Sequence, residues 1–222
     1  MTPDALRSTS WLLQQLADPF AIFPLQDVAR SLTDSIAESE EAFREREGPN
    51  GVARKYWDVP MELLDEGIGV AIGSAFVLGQ AAIIQTVSIV AQLRKLTNGH
   101  AAIPTGKRTL LETETMPSLT KELSDMVVID TAANYFKHHH EWPEAWQAST
   151  GTSVQQRSMT DARLLGLGGH DLTSNMHAAL RALKIGTEKV FTVPMTVHDW
   201  RERLATRLSR DLGLLPSHRN DA

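Results

Sequence analysis

The chain has 222 residues, of which 42% are hydrophobic and 22% charged, which excludes a wholly disordered or fibrous protein. Its formal charge of −5 argues against a general polyanion binder but leaves room for a local basic site. With no cysteine, disulfides, thiolate metal sites and a cysteine nucleophile are excluded.

The first residues carry Asp4 and Arg7 and lack the unbroken apolar stretch of an export signal, so a cytoplasmic location is expected. Residues 3–17 read as a helix with Leu6, Leu12, Leu13 and Leu16 on its apolar side, broken at Asp18-Pro19. A second helix spans residues 24–47, with apolar residues recurring at Leu25, Val28, Leu32, Ile36 and Phe43 and the acids of residues 34–47 on a solvated face. Pro60 opens a long helical segment to about residue 96, followed by a loop over residues 98–106. Pro117-Ser118 predicts a helix start that runs to about His140. Residues 147–158, rich in Ser, Thr and Gln, read as a polar loop, and Thr160 as the cap of the next helix. Gly166, Gly168 and Gly169 form a turn, and Asp171 or Thr173 caps a helix to about residue 185. The only strand candidate is residues 189–193, too short to build a sheet alone. Thr196 then caps a last helix with Trp200, Leu204, Leu208 and Leu212 at four-residue steps and Arg201, Arg203, Arg207 and Arg210 on an exposed face. The expectation is one all-α domain over residues 1–222, a bundle around a long buried central helix. Its helices group as N-terminal (1–56), central (60–142) and C-terminal (159–215).

Charge is unevenly spread: residues 1–93 hold 13 acids and 6 bases, residues 94–222 hold 14 acids and 16 bases. Between these halves lies a run of 27 residues, 67–93, without a single charge. As a helix it would span about 40 Å, long enough to cross a bilayer, and Gly69 and Gly73 form a GxxxG pair. Gln80, Gln85, Gln92, Ser74, Thr86 and Ser88 speak against lipid on all sides. A soluble helix packed by the other, amphipathic elements accounts for the run with fewer demands, and a homodimer core overlaps with that reading.

The chemistry is carried by histidine and its neighbours. Leu123, Val127, Asp130, Asn134, Lys137/His138 and Glu141 recur at steps of three and four, so an apolar helical stripe turns polar at Asp130. That describes either a buried polar site or a solvated helix end, where histidine is favoured by the macrodipole alone. Gly166-Leu167-Gly168-Gly169-His170-Asp171 ahead of a helix has no preceding strand and no following Lys-Ser/Thr, so it reads as a turn, not a phosphate loop. No residue set has metal-ligand spacing, and no cofactor is implied.

The segment Ala133-Asn134-Tyr135-Phe136-Lys137-His138-His139-His140-Glu141-Trp142 resembles a group of uncharacterised bacterial helical proteins with an NYFKHxxEW-type motif. More distantly it is similar to the HEPN (higher eukaryotes and prokaryotes nucleotide-binding) superfamily. That resemblance implies a helical bundle, commonly dimeric, of the kind found in toxins and antiphage effectors. Active members cut RNA without metal through Arg-x(4–6)-His, usually Arg-Asn-x-x-x-His. Asn134 and His138 match the Asn and His; Ala133 stands where the arginine belongs, and Lys137 is the only neighbouring cation. Two intact spacings occur elsewhere, Arg94 to His100 and Arg163 to His170, about as many as this arginine and histidine content yields by coincidence. In the Arg94–His100 pair the arginine would hold a phosphate while the histidine serves as general base.

The functional expectation is therefore a component of a bacterial defence or toxin-type system that binds or cuts RNA. Its catalytic candidates are Asn134, Lys137 and His138, then Arg94 and His100; Asp130, Glu141 and Trp142 are binding candidates. The alternative is a catalytically silent interaction or scaffold protein, and a third reading anchors the chain in a membrane through residues 67–93. A homo-oligomer or partner protein is expected, RNA is the candidate nucleic acid, and DNA is not expected.

Overall fold

A computed structural model of the chain describes residues 2–47, 60–139, 153–168 and 171–214. Among these residues the protein is all-helical. Its elements are α1 (Pro3–Ala17), α2 (Phe23–Glu47), α3 (Met61–Leu96), α4 (Lys107–Leu111), α5 (Asp125–His138), α6 (Ser153–Leu164), α7 (Leu172–Ala182) and α8 (Thr192–Asp211), with short 3-10 turns at Pro19–Ala21 and Thr187–Lys189.

Local chemistry explains most of the boundaries. Thr2 caps α1 by accepting from Ala5 N–H at 3.2 Å, and Pro3 fills the first turn, where its missing N–H costs nothing. Asp18, extended ahead of Pro19, stops the helix and accepts from Phe20 N–H at 3.0 Å. Asp171 caps α7 by accepting from Ser174 N–H at 2.9 Å. The start of α5 lies later than Pro117-Ser118 predicts, because Ser124 makes the better cap. Its hydroxyl donates to Leu111 O at 2.6 Å and accepts from Val127 N–H at 3.3 Å. Residues 117–123 instead form a loop closed by Ser118 N–H to Leu123 O, with Lys121 at a φ of 58° that a helix cannot use.

Three other expectations are corrected. Thr160 and Thr196 are inside helices rather than caps, their hydroxyls donating to Gln156 O and Thr192 O one turn back. The strand candidate 189–193 is the end of a 3-10 turn and the start of α8; among the described residues the only β pairing is an isolated bridge, Pro117 to Ser124. Residues 153–158 of the expected polar loop belong to α6, and residues 147–152 lie outside the described residues.

The long helix α3 is central, touching α1, α2, α5, α7 and α8. Ile68, Ile72, Phe76, Ile83, Val90 and Leu93 anchor the core from it. Gly69, Gly73 and Gly79 also face inward. A Cβ on Gly69 would sit 2.7 Å from Thr173 Oγ1 and 3.0 Å from its backbone; one on Gly73 would sit 2.1 Å from the Phe136 ring; one on Gly79 would sit 2.9 Å from Ile129. The GxxxG pair thus lets α7 and α5 approach, an intramolecular use that needs no membrane partner. The helix is apolar and long enough to cross a membrane, and about 61% of its most apolar 18-residue window is buried by the rest of the chain. It is not covered on all sides: a stripe including Leu63, Val70 and Ile84 faces outward.

The closing helix α8 packs Val197, Trp200, Leu204 and Leu208 against α1 and α3. Trp200 Nε1–H donates to Thr113 O at 2.8 Å, which satisfies the buried indole. Arg201, expected on the exposed face, is instead fully buried. It donates to Gln15 O at 2.8 Å and to Gln85 Oε1 at 3.3 Å. Arg203 donates to Glu114 O, and Arg207 pairs with Glu114 and Asp211.

Candidate functional site

The polar stripe of α5 does not end in solvent; it ends on Gln80. This buried glutamine projects from the middle of α3 toward α5. Its Nε2 donates to Asp130 Oδ1 at 2.7 Å, to Asn134 Oδ1 at 2.9 Å and to Asp130 O at 3.2 Å. Its Oε1 accepts from Lys137 Nζ at 2.5 Å. The amide orientation is dictated by chemistry, since an ammonium has no lone pair to offer and must face the oxygen. From the opposite side Lys107, at the start of α4, donates to Asp130 Oδ1 at 2.7 Å. Asp130, Asn134 and Lys137 are therefore brought together as the spacing predicts, but around a residue that belongs to another helix.

Beside this network, α4, α5 and α6 enclose a cleft of about 440 Å³. Lys107, Arg108 and Arg157 line it together with Asp130, Asp161 and Asn134. The cations outnumber the carboxylates by three to two. Arg108 bridges Glu112 and Asp161, each at 2.5 Å. Burial pushes the Asp161 carboxyl above its ordinary range, against the opposing pull of the Arg108 guanidinium. Burial draws Arg108 down, and the Glu112 and Asp161 carboxylates outweigh it to raise the guanidinium overall.

The remaining candidates separate. Ala133, at the position where the resemblance wants arginine, is 0% exposed and packs in the core, so the missing cation could not have reached the cleft from there. His138 ends α5 half-buried and lines none of the cavities described here. Its neighbour His139 stacks on Tyr135 with ring centroids 5.6 Å apart. Arg94 and His100 do not form a working pair: Arg94 Nη1 donates to Ile103 O at 3.0 Å, and His100 Nδ1 accepts from Ala102 N–H at 3.3 Å. Arg94 lines a second cavity of about 590 Å³ with Lys95, Asn98, Pro104 and Lys107; His100 does not. Glu141, Trp142 and His170 lie outside the described residues.

The glycine turn is held by Asn175 of α7. Its amide accepts from Gly168 N–H at 3.0 Å and donates to Gly168 O at 2.9 Å and Tyr135 Oη at 2.6 Å. Gly166 adopts a φ of +73°, which explains one glycine there by backbone geometry alone. Among the described residues no group of His, Cys, Asp or Glu could hold a metal ion.

No family model, curated protein or solved structure matches this chain.

Sequence reasoning missed Gln80, Lys107, Arg108, Arg157 and Asp161. Gln80 was visible only as a polar residue in an uncharged run. The signal for the others was a basic pair after Gly106 and an Arg–Asp pair four apart, Arg157 and Asp161, both common on solvated helices.

Proposed function

We propose that this protein is a cytoplasmic, HEPN-like helical component of a bacterial defence or toxin-type system that binds single-stranded RNA without cutting it. The observation that carries the reading is the cleft between α4, α5 and α6, which gathers Lys107, Arg108 and Arg157 in one place in a chain that is acidic overall. Arg157 is exposed and can turn to a backbone phosphate, Lys107 is exposed and would exchange its bond to Asp130 for one, and Arg108 is held in place by Asp161 and Glu112. The resemblance of residues 133–142 supports RNA as the polyanion. Binding is favoured over cleavage because Asn134 and Lys137 are engaged by Gln80, and neither Arg94 with His100 nor Ala133 with His138 offers an arginine–histidine pair.

Fluorescence anisotropy with a labelled single-stranded RNA tests this. Two phosphate contacts give a log–log salt slope of about −1.4. The Lys107→Ala/Arg157→Ala double variant should flatten that slope and weaken binding, with the RNA intact on a gel. Binding unchanged in the double variant refutes the cleft as the site. Cleavage by the wild type that His138→Ala abolishes would establish the nuclease reading instead. The alternative, an interaction protein without RNA, is favoured by one specific observation, the outward stripe of α3.

A further inference from the structure

The outward face of α3 has its own period. Positions 63, 70, 77, 84 and 91 are Leu63, Val70, Val77, Ile84 and Ala91, seven apart. Positions 67, 74, 81 and 88, falling between them, are Gly67, Ser74, Ala81 and Ser88. The two series alternate at steps of four and three, the spacing of a coiled-coil seam, with larger residues on the first series up to Ile84 and small ones on the second and at Ala91. Leu63, Val70 and Ile84 are 55%, 43% and 52% exposed; Gly67, Ala81, Ser88 and Ala91 are exposed, and Ser74 and Val77 half-buried. Ser74 and Ser88 donate to Val70 O and Ile84 O within the helix, at 2.8 and 3.1 Å, so these hydroxyls need no water if covered.

We infer that this face pairs with the same face of a second copy, antiparallel, about a two-fold axis level with residue 79. Two features select that occupant and direction. The first is shape. In this register Gly67 meets Ala91 of the second copy, Val70 meets Ser88, Ser74 meets Ile84 and Val77 meets Ala81, so each of these four layers contains at least one small residue, and only the outermost, Leu63 with Lys95, pairs two long side chains. A parallel pair would set Val70 on Val70 and Ile84 on Ile84, and leave gaps at the small positions. The second is charge. α3 begins with Glu62, Asp65 and Glu66 and ends with Arg94 and Lys95. Antiparallel pairing places the acidic end of one copy beside the basic end of the other; parallel pairing opposes like charges.

The same register explains an exposed tryptophan. Trp11, 57% exposed on α1, lines a recess of about 360 Å³ with Gln92, Lys95 and Leu96. Leu63 of the second copy arrives level with Lys95, where the indole is placed to cover it. The seam from Leu63 to Ala91 is about 42 Å long, and at helix width it covers roughly 500 Å² a side. That is below the roughly 800 Å² of a standard interface and in the class of weak, transient contacts, so the dimer is expected to dissociate on dilution.

Sedimentation velocity on the full chain from about 5 to about 300 µM should show a concentration-dependent dimer. Ala81→Glu and Ile84→Glu, both at exposed positions, should remain monomeric throughout, with unchanged circular dichroism and, at concentrations where the wild type is also monomeric, an unchanged melting temperature. The cysteine-free background gives a second readout independent of those variants. A mixture of Ser74→Cys and Ile84→Cys proteins should form a covalent dimer on mild oxidation, whereas either alone should not. A wild-type monomer at the top concentration overturns the proposal, as does a dimer that survives both glutamate variants. Self-cross-linking of Ile84→Cys would show a parallel pair and refute the register. Co-sedimentation of the wild type with lipid vesicles, lost in the glutamate variants, would assign the face to a membrane instead.

Discussion

Replacing Gln80 with leucine removes the hub while keeping most of its volume, and the structure sets the size of the effect. Four hydrogen bonds disappear: neutral ones to the Asn134 amide and the Asp130 carbonyl, and charge-assisted ones to the Asp130 carboxylate and Lys137. Neutral bonds contribute about 1 kcal/mol net and those to charged groups about 1.5–3 kcal/mol. Much of the charged part is recovered, because Lys137 is exposed and Asp130 keeps Lys107. Leucine also escapes the desolvation that burying an amide costs. A net loss of about 2 kcal/mol remains, which for a chain of this size lowers Tm by roughly 4–8 °C. Urea unfolding followed by circular dichroism measures it. A double-mutant cycle of Gln80→Leu with Asn134→Ala should return a coupling of about 1 kcal/mol. If Gln80→Leu were as stable as the parent, the network would not hold α5 to α3 and its account as a structural anchor would fail.

Other expectations follow from single positions. Gly69→Ala should destabilise by about 1–3 kcal/mol, because its Cβ meets the Thr173 backbone, whereas Gly67→Ala, with open space around it, should stabilise by up to about 1 kcal/mol; thermal melts of the pair separate packing from helix propensity. Ala133→Arg, which restores the arginine of the HEPN motif, should unfold the protein or cost about 4 kcal/mol or more, since it places a guanidinium in the core; a soluble variant of native stability that cuts RNA would overturn the assignment of Ala133. Asp125 is buried, and burial pushes its carboxyl above the ordinary range despite N–H bonds from Met126 and Met116. The folded state therefore holds this proton more tightly than the unfolded chain, so the group's contribution is most favourable below the unfolded carboxylate value and declines as pH rises through the folded one. Asp125→Asn keeps an acceptor oxygen and should be more stable than the parent at pH 7, with the gain shrinking as pH falls below the ordinary carboxylate range; an equal gain at neutral and acidic pH, in urea unfolding, would contradict the burial argument.

Much of the helical plan was legible in the sequence because its cues are local. Leu12, Leu13 and Leu16 mark the inner side of α1, and Trp200, Leu204 and Leu208 that of α8, at spacings that follow from the helix repeat. The shared stripe of Asp130, Asn134 and Lys137 was legible for the same reason. What they bond to was not. Gln80 lies fifty residues from Asp130, and no periodicity links them. Arg201 misled because arginine is normally a surface residue; the carbonyl of Gln15, the amide of Gln85 and the charge of Asp18 offset the cost of its burial. The start of α5 misled because Ser118 and Ser124 are equivalent as letters, and the carbonyl of Leu111 that favours Ser124 comes from an earlier turn. The short α4 has too few residues to show a period, yet it supplies Lys107 and Arg108 to the cleft.

The contact between the first and last described helices has a consequence for synthesis. Arg201 reaches back 186 positions to the Gln15 carbonyl, and α1 packs along α8. A ribosome delivers α1 well before α8, so until the later helix follows, Leu12, Leu13 and Leu16 have no α8 to cover them. The nascent chain must keep these leucines out of trouble, by weak contacts with α3 or by a chaperone, until the closing helix emerges. Loss of α8, as from a premature stop codon, should therefore yield an aggregating product instead of a shortened but folded one.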